Sequence, residues 1–365
     1  MGRFKSVFRK LRDPRAENAQ HELLEILFIA LAATLCGAQG ASDMARFGLA
    51  KEALLRRLLR LEHGIPSHDT FSRVFRVLDP QAFEREFQRF MAAFAKFHRL
   101  DLKGVVAIDG KSLRRAYDRG KSATPMHLVN AFAAQARMAL ASRKAPGRNE
   151  LAGALEVLDM LCLKNSIVTA DALFCSRPFA ARVLKRGGHY VLALKKNQRK
   201  LFASVVRRFA RADTRSTAQK LEASTHARRE WRRATVIRDK SLAADFPGVA
   251  ALAKITSKRR AGSGKAEPVF IRYYLLSKYL TATKLLSVVR SHWAIENQLH
   301  WMLDVALNED ADRARKDNAL ENLAILRKLA LNLLRTHPEQ MSIRQKIKSA
   351  GWDDTFLLRL LSHMQ

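Results

Sequence analysis

Asp109 closes a run of four apolar, mostly β-branched residues, Val105-Val106-Ala107-Ile108, and leads directly into Gly110 and Lys111. Such a run reads as a buried strand, and a buried strand has no structural need of a carboxylate, whose charge is costly to desolvate without a partner. Alone, the stretch reads as a turn, because Asp-Gly is a common turn dipeptide; Gly110 then keeps it tight. The pattern recurs, however. Ser166-Ile167-Val168-Thr169-Ala170 is a second apolar strand that runs straight into Asp171. A third acid, Glu296, falls on the helical stripe Leu286, Val289, Trp293, Glu296, His300, Leu303, amid a largely apolar face, so it needs a metal or a cation as partner. In open α/β sheets ligands gather at the C-terminal ends of the strands. Neighbouring strands are about 4.8 Å apart, so adjacent parallel strands would bring Asp109 and Asp171 together. Two strand aspartates and a helix glutamate suit two divalent ions about 3.5–4 Å apart, one activating water or a 3′-hydroxyl and the other stabilising the leaving oxygen. Hard oxygen ligands favour Mg2+, with Mn2+ as a substitute. His292 and His300 lie one turn either side of Glu296; as zinc ligands they need a third strong site, and the sequence offers none.

The elements that must position these acids follow from the patterning. Residues 1–98 read as helical: Glu22 to Cys36 is a long helix, Ser67 or Asp69 caps another, and Asp79-Pro80 opens a third. Phe83, Phe87, Phe90 and Phe94 lie on one face of that last helix and belong to a core. From Gly104 the pattern changes to strands at 105–108, 127–133, 138–142, 166–170 and 189–194, with helices at 149–161 and from 176 to Gly187. The order is β-β-β-α-β-α-β. Residues 201–283 read as a different module, with strands at 226–237 and 270–277 and a basic loop at 258–265 between them. Helix returns at Ala282, and 284–365 is helical throughout. Asp304, Glu309, Asp310 and Asp312 read as a solvated face or as partners of Arg313 and Arg315.

Composition points to the partner. The 365-residue chain holds 66 Lys and Arg against 34 Asp and Glu, a formal charge of +32, with 48% hydrophobic residues. It is therefore globular, and so large a charge opposes compaction unless a polyanion is near, nucleic acid above all. The three cysteines, Cys36, Cys162 and Cys175, form no CxxC pair, which fits a reducing, cytosolic setting. The longest apolar run, Leu23 to Ala38, is short of a membrane span and contains Glu25, so it reads as a buried helix.

Three blocks then resemble the DDE transposases of insertion sequences, in particular the subgroup with the H-repeat-associated proteins. They are Ala107 to Lys111; Ile167 to Ala172 together with Tyr190 to Gln198; and His292 to Val305. Gly64 to Phe71 is similar to that subgroup's accessory domain. The resemblance covers nearly the whole chain. It implies an α/β fold with an RNase H-like catalytic core, a mixed five-stranded sheet with helices, carrying a β-rich insertion and a helical N-terminal domain. The implied divisions are 1–98 for the accessory, DNA-binding domain, 99–200 for the first part of the core, 201–283 for the insertion and 284–365 for the helical part bearing the third acid. It implies Asp109, Asp171 and Glu296 as catalytic, Mg2+-holding residues, and double-stranded DNA, both terminal inverted repeats and target, as partner. The chain would act as a homodimer on DNA in the bacterial cytoplasm, at the nucleoid. Lys111, Lys195, Lys196, Arg228 and Arg232 are the expected DNA contacts. One departure stands out. Relatives with a Tyr-x2-Arg-x3-Glu-x6-Lys signature around the third acid are not matched here, because those positions hold Val289, His292, Glu296 and Leu303. An RNase H-like nuclease without strand transfer, or a non-catalytic DNA-binding descendant, would share many of these features.

Overall fold

The two strands that end their shared ladder at the aspartates lie side by side. In the computed structural model, which describes residues 2–117, 125–211, 217–223, 229–260 and 268–364, β1 (Gly104–Tyr117) pairs in parallel with β4 (Ser166–Ala170). Beyond them lie β2 (Pro125–Ala133), β3 (Met138–Lys144) and β5 (His189–Leu194), and then β6 (Thr217–Ala223), β7 (Arg229–Arg238), β8 (Ala251–Arg260) and β9 (Phe270–Leu276). The nine described strands form one mixed sheet in the order β3-β2-β1-β4-β5-β9-β8-β7-β6. Only β1–β4 and β4–β5 are parallel.

This sheet is larger than the five strands expected. The segment read as a different module extends it instead, because β9 pairs antiparallel with the edge of β5, Leu194 opposite Tyr273 and Val191 opposite Leu276. Two of the four added strands, β6 and β8, were not expected. In β8 Ala251, Leu252 and Ala253 are all buried, and a polar alternation begins only at Lys254, so the strand shows no clear two-residue pattern. Lys258, expected in a flexible loop, is in β8 opposite Trp231, with the ammonium 5.6 Å from the indole centroid; residues 261–267 of that loop lie outside the described residues.

Helices cover both faces. Val106, Ile108 and Val168 pack against the helices Glu150–Asp159, Arg177–Lys185 and Arg199–Arg211. On the opposite face Ala107 and Phe132 join a core shared by the N-terminal helices and the C-terminal helices from Ala319 onward, so residues 1–98 have no separate core of their own. Helix Pro80–Phe97 is capped by Asp79 and buries Phe83, Phe87, Phe90 and Phe94. Ser67 caps helix His68–Val77. Helix Leu23–Leu35 is buried on almost every side; its Glu25 carboxylate accepts the backbone N–H groups of Arg60 and Leu61 at 2.8 and 3.1 Å. Among the described residues no helix is long and apolar enough to cross a membrane.

Candidate active site

The parallel register of β1 and β4 ends at Ile108 opposite Ala170, so Asp109 and Asp171 are the next residue on each strand. Here the structure corrects the turn expected at Asp109. β1 does not stop there but continues through Gly110 and Lys111 to Tyr117, paired with β2, with Asp109 opposite Asn130 and Gly110 opposite Val129. A Cβ at Gly110 would stand 2.6 Å from Oε2 of Glu150, whose Oε1 lies 2.8 Å from Nδ1 of His127, so any larger residue would have to move that carboxylate.

Glu296 comes from a helix that changes its winding. The α-helix Ala282–His292 is followed by a π-helical turn, Ile295–His300, and an α-helix, Trp301–Leu307. Such π turns insert a residue into the helical count. Consequently Ile295, Leu299 and Leu303 take the buried stripe and Glu296 is exposed, not set amid a largely apolar face as read from the sequence. Its carboxylate faces a cavity of about 270 Å3 whose lining includes Asp109, Asp171, Lys195 and Trp293. The three acids thus share one concavity.

Their electrostatics follow from this crowding. Burial, then the charges of Glu296 and Asp171, push the Asp109 carboxyl up to about 7, and burial and Asp171 raise Glu296. Such a donor set suits a hard divalent cation, which would relieve the repulsion. Among the described residues no group of three or more His, Cys, Asp and Glu side chains is already gathered at metal-binding geometry, so the carboxylates would have to close on an ion.

Two histidines that the sequence placed around Glu296 serve the aspartates' strands instead. His292 Nδ1 lies 3.1 Å from Thr169 Oγ1, and burial pushes this imidazole down to about 4. Asn130 Nδ2 can only donate, so His300 Nε2, 3.2 Å away, accepts. The proton is then on Nδ1, which lies 3.7 Å from Asp109 Oδ2. Ser142 Oγ holds the Asn130 carbonyl oxygen at 3.0 Å. Nothing in the sequence signals the Asn130–His300 pair, because 170 positions separate the partners.

The expected DNA contacts separate into different environments. Lys195 lines the cavity and Lys196 lines the adjoining groove, and neither has an ion-pair partner among the described residues. Asn197 and Gln198 donate to the carbonyls of Ala172 and Cys175, at 2.9 and 3.0 Å, pinning this basic turn to the loop that follows Asp171. Arg232 is mostly buried and paired with Glu230 at 2.8 Å. Arg228 lies outside the described residues. Lys111, expected at a phosphate, is 8% exposed and its ammonium is shared between Asp304 and Glu309. Those two acids and Asp312, which pairs with Arg327, therefore have interior partners. The adjoining groove, about 1090 Å3, is lined by Arg177, Lys196, Arg199, Lys200 and Arg207 with a single acid, Asp245. None of those five cations is ion-paired among the described residues.

The chain belongs to the DDE transposases of insertion sequences: the family model described as Transposase DDE domain matches residues 101–333, and the model described as DDE_Tnp_1-associated matches residues 5–91. Within that family it is similar to the H repeat-associated protein YhhI of Escherichia coli (strain K12), 32% identical over 354 residues, covering 94% of this chain and 93% of YhhI. YbfL of the same strain is 32% identical over 359 residues, covering 95% of this chain and 94% of YbfL. A protein from the dhlA 3′ region of Xanthobacter autotrophicus is 36% identical over 264 residues, covering 70% of this chain and 88% of that one. Among solved structures, the piggyBac transposase synaptic complex with hairpin DNA has a TM-score of 0.43 at 13% identity, over 99% of this chain and 76% of that one.

Proposed function

We propose that this chain cuts and joins DNA at the ends of an insertion sequence, with Asp109, Asp171 and Glu296 as catalytic carboxylates that hold Mg2+, or Mn2+ in its place. In this reading β1 to β5 are an RNase H-like core. The observation that carries it is the meeting of the three acids on one cavity, two from neighbouring parallel strands and one from the π turn. When bound, the metal ions supply an activated attacking oxygen and neutralise charge at the phosphorus. The chain's own residues do the positioning, which dominates phosphoryl transfer. β1 and β4 fix the spacing of the two aspartates, and His300 presents its Nδ1–H toward Asp109. Lys195 stands at the cavity as a counter-charge for a phosphodiester. The unpaired cations of the adjoining groove continue that counter-charge along a duplex. The DNA is double-stranded, first the terminal inverted repeats and then the target, and two copies of the chain hold two ends together.

The test incubates the protein with Mg2+ and duplex DNA bearing the flanking element ends. Cleavage and joining are expected, and Asp109→Asn should lower both at least ~100-fold, as loss of a group aimed at transition-state charge does, while DNA binding persists. Binding without any metal-dependent cleavage overturns the enzymatic reading. Cleavage without joining would leave a nuclease.

A further inference from the structure

Two residues beyond Asp109, and therefore on the same face of β1, Lys111 reaches the segment that carries Glu296. Its Nζ donates to Asp304 Oδ1 at 2.5 Å and to Glu309 Oε2 at 2.6 Å. Asp304 belongs to the helical rod that begins with the π turn of Glu296, and Glu309 opens the 3-10 turn that follows it after Asn308, a residue in the left-handed region. Glu309 is buried, and its other oxygen lies 3.7 Å from the ammonium of Lys328, itself buried in helix Ala319–Thr336. Two buried lysines are balanced by the buried Glu309 and by Asp304, whose side chain is 33% exposed. Such an arrangement is a poor way to gain stability, since apolar side chains of equal volume often do as well. Its distinguishing property is geometric: charge-assisted hydrogen bonds fix separations that greasy contacts leave adjustable.

We infer that Lys111 is a positioning residue, which through Asp304 and Glu309 locks the rod bearing Glu296 onto the strand bearing Asp109 and so sets how closely the carboxylates can approach. The inference rests on the reading of those acids as the metal-holding site. A phosphate role for Lys111 is at odds with the geometry, because its ammonium is enclosed and already held by two acids. β1 and the rod touch the cavity at one level and the lysine at the next. Without the clamp the rod keeps its apolar stripe of Ile295, Leu299 and Leu303 but loses its register against β1.

The test compares the full chain with Lys111→Met, Asp304→Asn and the double variant. Three readouts are Mn2+ binding by electron paramagnetic resonance, amide hydrogen exchange, and DNA affinity against salt in chelator. Lys111→Met should weaken Mn2+ binding about 10–100-fold, the usual effect of losing an outer-shell partner. It should also speed exchange over 295–307 while leaving helix Glu150–Asp159 and the DNA affinity unchanged. Asp304→Asn should act in the same direction, and the double variant should be no worse than the worse single one, because the two residues share one interaction. If Lys111→Met does not fold, Asp304→Asn, which keeps the Lys111–Glu309 pair, decides. Unchanged exchange over 295–307 overturns the clamp. So does unchanged Mn2+ binding with a salt slope reduced by about 0.9, the mark of one lost phosphate contact. If wild type and Asp109→Asn bind Mn2+ equally, the proposed function fails instead, and hydrogen exchange alone still decides the clamp.

Discussion

At the scale of single residues, the acids were legible and their supports were not. Asp109 and Asp171 stand out because a carboxylate directly after an apolar β-branched run conflicts with burial, a local contradiction visible in a few neighbouring residues. Glu296 drew notice as an acid within an apolar helical stripe, but the π turn sets it beside that stripe, exposed, so the reason for noticing it does not hold. Lys111 shows the opposite case. Its partners are 193 and 198 positions away, so a lysine after Asp-Gly looked like a surface cation. The Asp109 carboxyl carries its own testable consequence. Raised to about 7 by burial and by the charges of Glu296 and Asp171, it must lose a proton before it can bind a cation. Below pH 7 one proton therefore competes with the cation, about tenfold more effectively for each unit of acidification. Mn2+ affinity of the DNA-free protein should fall about tenfold per pH unit from 7 to 5 and stay level above 7. In Asp109→Asn the residual binding should lose most of that slope. Titrations of Mn2+ at several pH values measure this directly, and a wild-type slope near zero between pH 5 and 7 would contradict it.

At the scale of elements, β2, β3, β4 and β5 were found to within two residues and β1 was ended nine residues early, whereas β6 and β8 were missed because lysine, glutamine and alanine dilute their alternation. The π turn was not visible either. A heptad-like stripe from Leu286 to Leu303 fits an unbroken α-helix equally well, and only packing forces the extra residue. The basic run at 195–200 was legible as charge but not as architecture: Asn197 and Gln198 anchor the turn, while Lys196 and Arg199 face the groove with Arg207 from the following helix. That division makes the groove separable from the fold. Lys196→Gln, Arg199→Gln and Arg207→Gln together should leave thermal stability nearly unchanged, since these side chains are exposed and have no ion-pair partner among the described residues. DNA affinity should fall, and the slope of log affinity against log salt should shrink by about 2.7, roughly 0.9 for each phosphate released. Filter-binding or anisotropy measurements across salt concentrations check it. An unchanged slope would move the DNA path elsewhere on this +32 chain.

At the scale of the whole molecule, buried titratable groups pull stability in opposite directions with pH. His292 and His300 are held down to about 4 and about 3, chiefly by burial, so their stabilising neutrality is complete above 6.5 and is lost as pH falls toward those values. Glu84 and Asp109 are raised to about 7, again chiefly by burial, so their contribution is complete below 4.5 and 3.8 and is lost as pH rises through 7. One pH unit is worth about 1.4 kcal/mol per group. Between pH 7.5 and 5 the two histidines thus cost about 4 kcal/mol in the metal-free protein, and the two acids return about 5 kcal/mol. The terms nearly cancel. Below 4.5 the cancellation ends: Glu84 has nothing more to give, the histidines continue to charge, and Glu309, held near 2 by Lys328 and Lys111 against its burial, starts to lose its ion pairs. In the metal-free protein these four groups therefore offset one another from pH 7.5 to 5 and cease to do so below 4.5. Glu84→Gln removes one compensating acid, while its side-chain oxygen can still accept the N–H of Ser142. That variant should lose about 3 kcal/mol relative to wild type over the same interval, roughly 4 °C of melting temperature for a chain of this size. Thermal melts of both proteins in chelator from pH 4 to 8 decide the matter: parallel profiles would mean that Glu84 stays ionised in the core, held by Arg143 and Lys328.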